Sequence, residues 1–132
     1  MQHVDEGKTG EIQKLLKKLQ IELPGFQTAV VVAVEGLPIT SYSIEEFDEM
    51  KELAFAAVTA SLLALGEKTI MDVGRPDELM KRITIESDDL FVVSTAAGDK
   101  AVLTVVSSKE TKEGLLYYRV KEAAGQIATL LE

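Results

Sequence analysis

Three stretches of this chain carry residues that phosphate or acid–base chemistry would use. Gly7-Lys8-Thr9 ends like a phosphate-binding loop, but that motif needs a glycine five positions before the Gly-Lys pair, where Gln2 stands. Gly66-Glu67-Lys68-Thr69 fails as well, because Glu67 separates the glycine from the lysine. His3 is the one histidine and sits in a polar leading segment, which leaves no ordinary Ser-His-Asp triad. Glu45, Glu46, Asp48, Glu49 and Glu52 form an acidic run that suits either a hard cation or the positive end of a helix dipole, and the dipole accounts for most of it. Arg75 lies in a Gly-Pro loop from which a guanidinium could reach a partner's nucleotide, though a solubilising loop charge is the plainer reading. No catalytic residue, cofactor site or metal site is expected.

Composition narrows the classes further. The 132 residues fit one domain, and 46% hydrophobic content is enough for a core. A net charge of −8 argues against nucleic acid and anionic membrane surfaces. The absence of cysteine removes disulfides, thiol catalysis and thiolate-bound zinc. The leading MQHVDEGKTGE lacks an apolar signal core, so a cytoplasmic protein is expected.

The pattern predicts an α+β fold, with residues 1–10 as a flexible tail and residues 11–132 as one domain. Ile12, Leu15, Leu16 and Leu19 recur at helical spacing until Pro24-Gly25 stops them. Phe26–Val34 reads as a central strand and Ile39–Tyr42 as a more polar edge strand after the turn Glu35-Gly36-Leu37-Pro38. Ser43 with Glu46 fits a capping box for a long helix from Ile44 to Leu65, with Gly66 as its end cap. An irregular connection follows, holding at most a short turn at 77–80. Arg82–Glu86, Leu90–Ala96 and Ala101–Val106 then read as three strands, and a helix from about Lys112 to Leu131 closes the chain, with close packing expected at Gly125. The order is α-β-β-α-β-β-β-α. A five-stranded antiparallel sheet that is apolar on both faces needs helices on both, the long helix on one and the two terminal helices on the other.

The long helix poses a problem of covering. Leu53–Leu65, LAFAAVTASLLAL, has no charge on any side and is too short to span a bilayer, which takes roughly 20 apolar residues. A sheet can cover one side of it. The cheapest cover for the other is a second copy, since Ala57, Ala60, Ser61 and Ala64 permit close backbone approach. A homodimer is therefore expected.

This element order, the valine-rich strand ending in Glu35-Gly36-Leu37-Pro38-Ile39, and the alanine-rich helix after it resemble the roadblock/dynein light chain family. The likeness covers about Glu11 to Glu132. Glu35-Gly36 stands where the family often has Asp-Gly, with the turn glycine retained. The resemblance implies dimers whose long helices pack antiparallel and whose third strands pair into one continuous sheet. It further implies binding or regulation of Ras-like small GTPases, and it carries over no active-site motif. Arg82, Ile83, Thr84, Ile85 and Glu86 would otherwise be a β-prone open edge, and self-pairing about a two-fold axis near Thr84 would set Arg82 opposite the other copy's Glu86.

The expected function is thus a non-catalytic homodimeric scaffold or regulator of a Ras-like GTPase, without direct membrane insertion. Glu45, Glu49, Arg75 and Tyr117 are the candidate partner contacts; of the adjacent rings Tyr117 and Tyr118, one should pack on the core and the other face out. The alternative is a small-ligand sensor domain of a related five-stranded fold, which would need a pocket.

Overall fold

A computed structural model describes residues 6–46 and 48–132. The valine-rich segment forms β1 (Phe26–Ala33), flanked by β2 (Pro38–Ser43) on one side and β5 (Ala101–Ser108) on the other. With β3 (Ile83–Glu86) and β4 (Leu90–Ala97) they make one antiparallel sheet of order β2-β1-β5-β4-β3. The strands that are apolar on both faces lie inside the sheet. Polar β2 and short β3 are its edges. Gly36 at φ 97° and Gly98 at φ 73° close the β1–β2 and β4–β5 hairpins in the left-handed region, where a side chain would be strained.

Two helices, α1 (Glu6–Glu22) and α3 (Glu113–Leu131), cover one face. There Ile12, Leu16, Leu19, Leu116, Val120 and Ile127 close over Ala29, Val31, Val93, Leu103 and Val105 in the main core. Arg119 of α3 ties the two helices together through Glu22 at 3.1 Å. The chain's turn out of α1 is fixed by a buried bond in which the Gly25 amide donates to Thr111 Oγ1 at 2.8 Å.

The remaining helix, α2 (Glu49–Val73), lies on the other face, over a much smaller core of Val30, Val32 and Ala56. The two-faced sandwich and the element order therefore match the sequence reading.

Three boundaries differ from it. Helix α1 begins at Glu6, inside the expected flexible tail of residues 1–10: Glu6 complements the helix dipole, and Ile12, Leu16 and Leu19 anchor the helix despite Gly7 and Gly10. Residues 1–5, His3 among them, lie outside the described residues, as does Phe47.

Helix α2 starts five residues later than expected. Ser43 belongs to β2 and its hydroxyl meets that of Thr28, while the Ile44 amide continues the ladder by donating to Gln27 O at 3.0 Å. Asp48 takes the cap, its carboxylate accepting from the Lys51 amide at 2.8 Å.

The same helix runs on past Gly66 to Val73, ending at Gly74. Gly66 is not a cap. A Cβ there would lie 2.3 Å from Met80 Sδ and 2.7 Å from Ile83 Cδ1, so the glycine lets β3 and its lead-in lie close against the helix. The expected close packing at Gly125 is absent: a Cβ added to it meets nothing within 4 Å.

Candidate interaction surface

Over its 25 residues α2 buries only Ala56, Thr59 and Leu63, spaced at three and four along one narrow stripe. Its other sides stay open. Leu53, Val58 and Leu65 are 47%, 54% and 63% exposed, and Met50 and Met71 about three-quarters so. Ala57, Ser61 and Ala64 are exposed and Ala60 half-buried. Met50, Leu53, Ala57, Ala60 and Ala64 follow the alternating three-and-four spacing of a helix–helix seam, with small residues at its centre, and Met71 lies one heptad on, past Glu67.

By length and composition α2 also meets what a membrane-spanning helix needs, at a mean hydropathy of 1.4. Charge placement weighs against that. Lys51 and Glu52 precede, and Glu67 and Lys68 follow, an uncharged run 53–66 only about 21 Å long at 1.5 Å per residue, against roughly 30 Å of bilayer core.

The open seam adjoins an open edge. Among the described residues strand β3 pairs with β4 on one side only, and its other side is the end of the sheet. Ile83 and Ile85 share the face on which α2 lies, and Gly66 brings the helix against Ile83. An apolar helix side and a sheet edge are thus both left open among the described residues, with the Gly66–Ile83 contact between the two elements.

A family model, the Roadblock/LC7 domain, matches residues 12–107. The chain belongs to the Roadblock/LC7 domain family. Its fold is similar to that of an MglB described as having a tetrameric arrangement, with a TM-score of 0.85 at 15% identity, covering 96% of this chain and 92% of that one. A Roadblock/LC7 domain from Streptomyces avermitilis gives 0.81 at 20% identity, covering 89% and 95%. Myxococcus xanthus MglB gives 0.84 at 18%, covering 99% and 94%. At these identities the likeness is one of fold. No curated protein sequence matches the chain.

Within this roadblock domain the expected contact residues fall into separate groups. Arg82, Thr84 and Tyr117 come together: the Arg82 guanidinium lies 4.0 Å from the centre of the Tyr117 ring, and the Thr84 and Tyr117 hydroxyls are 3.0 Å apart. Tyr117 also donates to Glu113 at 2.5 Å, so it is half-buried and engaged, and the open ring is Tyr118 at 59% exposure. Glu86 pairs with Lys109 in the same chain. Both members of the expected Arg82–Glu86 cross-pair therefore already have partners in their own chain, which a pairing about Thr84 would have to share.

Glu49 is exposed at the start of α2 and Glu45 in the bend before it, with Arg75 just past the helix's end, so its roughly 37 Å length separates them. Arg75 is loosely held, its amide donating to Glu78 at 3.0 Å and its Nε lying 3.9 Å from Asp77. The acidic run has structural duties of its own: Asp48 caps α2, and Glu52 accepts from the Ser41 hydroxyl.

Sequence reasoning missed the outer positions of the seam, Met50, Leu53 and Met71. The three-and-four spacing carries their signal, but an all-apolar segment hides which side faces out.

Proposed function

We propose that this roadblock domain is a non-catalytic homodimeric scaffold that binds a Ras-like small GTPase in the cytoplasm. The observation that carries the reading is that α2 leaves an apolar side open and β3 ends the sheet. Antiparallel packing of two α2 helices about Ala60 and Ser61 would bring Ala57 against the second copy's Ala64. Pairing of β3 with its copy would extend the sheet and remove the exposed edge.

Family membership and the fold likeness to MglB, one relative of which is described as a gliding protein, support the GTPase assignment by analogy. The mechanism is templating. Two protomers joined through α2 and β3 offer a platform wider than one alone, and modulation of GTP hydrolysis would come from how the partner is held. No residue of this chain is assigned a chemical step.

A small-ligand sensor would need space beneath α2. Against that reading, the described residues Val30, Val32, Ala56, Thr59, Ser94 and Thr104 are each at most 2% exposed, and the Ser94 and Thr104 hydroxyls satisfy one another at 2.7 Å.

Capture from native extract tests the proposal. The immobilised chain is exposed to extract supplemented with GDP or with a non-hydrolysable GTP analogue, and bound proteins are identified by mass spectrometry. A Ras-like GTPase retained in one nucleotide state is the expected result. Retention of metabolites and no GTPase would overturn it.

A further inference from the structure

We infer that the cleft between α3 and the β3–β4 edge is a docking site for a short acidic peptide segment of a partner protein. The cleft has a volume of about 280 Å³ and lies on the face opposite α2. Val93 and Val120 lie beneath it as part of the buried core, at most 1% exposed, and give it a rigid base. Around that base stand Lys81, Arg82 and Lys121.

None of these three cations has a carboxylate partner among the described residues, although the chain carries 22 acidic side chains against 14 basic ones. One cation is held in place, and the backbone that carries a second is fixed. Arg82 is stacked on Tyr117, and the carbonyl of Lys81 accepts from the Thr95 hydroxyl at 2.7 Å. Lys121 stands one helical turn beyond Tyr117 on the same side of α3. A stacked guanidinium keeps its N–H edge free for a carboxylate fork, and the two lysines add point charges on either side.

Three cations and no carboxylate line the cleft, with Glu113 at its rim on the Tyr117 hydroxyl, and this local excess of positive charge selects the kind of partner. A duplex or an anionic membrane presents an extended negative surface, which the net charge of −8 repels. A short segment with two or three carboxylates meets only the local cations. The cleft is lined by residues of one chain, and pairing of β3 about Thr84 would bring the second copy's Glu86 to Arg82, leaving Lys81 and Lys121 as its free cations.

Fluorescence anisotropy on the full chain tests it. The probes are a fluorescein-labelled peptide of alternating Glu and Leu and its counterpart with Gln in place of Glu. The Glu peptide should bind at least several-fold more tightly and weaken as salt rises. The double substitution Lys81→Glu with Lys121→Glu should cost about tenfold, the scale of two exposed ion pairs turned into repulsions. Both lysines are exposed, so circular dichroism should report an unchanged fold. Arg75→Glu, outside the cleft, should leave binding as it was. Equal binding of the two peptides would overturn the inference, as would an equal loss with Arg75→Glu. Full competition by inorganic phosphate, or tighter binding of duplex DNA or phosphatidylserine vesicles through the same lysines, would overturn it too.

Discussion

Two glycines inside helices do opposite work. Gly66 in α2 sits where a methyl group would strike Met80 and Ile83, while Gly125 in α3 faces open space. Intrinsic helix propensity favours alanine over glycine by roughly 1 kcal/mol at both places. At Gly125 nothing opposes that preference, so Gly125→Ala should raise stability by about 0.5–1 kcal/mol. At Gly66 the gain is offset by displacing Met80 and Ile83 from the helix, and Gly66→Ala should be neutral or destabilising. Urea denaturation of the two variants checks the contrast. Equal stabilisation by both would show that α2 does not need its close approach to β3. The sequence supplies the glycines but not their neighbours, which is why Gly66 reads as an end cap and Gly125 as a packing site before the fold is known.

At the scale of elements, the sandwich was legible because burial imposes periodicity. Ile12, Leu16 and Leu19 on α1, and the two-faced valine runs of β1 and β5, have no other economical arrangement. Helix ends were less legible. Ser43 and Asp48 are both good caps, and the choice between them is made by Thr28 and Gln27, which draw Ser43 and Ile44 into the β1–β2 pairing. The seam residues Ala57, Ala60, Ser61 and Ala64 were found from the lack of any polar side; the protomer leaves Ala57, Ser61 and Ala64 exposed, while Ala60 packs in part on Val30, Val32 and Ala56. The Tyr117–Tyr118 choice depended on β3, since Thr84 and Arg82 draw in the first ring and leave the second outside.

Because Ala57 and Ala64 are exposed in the protomer, Ala57→Glu combined with Ala64→Glu should leave its fold intact while placing carboxylates in the seam. Hydrogen exchange then gives a specific readout. The outward amides of β3 should be protected in the parent chain and exchange freely in the variant, with β1 and β5 protected in both. Unprotected β3 amides in the parent would count against strand pairing.

For the molecule as a whole, charge and apolar surface pull in opposite directions. Each chain carries −8, so a pair carries twice that, −16, and association has to overcome the repulsion. Burial of the α2 seam is the opposing term, and salt screens the charge without weakening apolar burial. Association should therefore tighten as ionic strength rises, the reverse of the trend expected for an acidic peptide in the α3 cleft. Sedimentation equilibrium of the unmodified chain at micromolar concentrations, over a range of salt, tests the pairing most directly. A species of twice the chain mass that grows with salt is the predicted result; a single-chain mass at every concentration and every salt would contradict it.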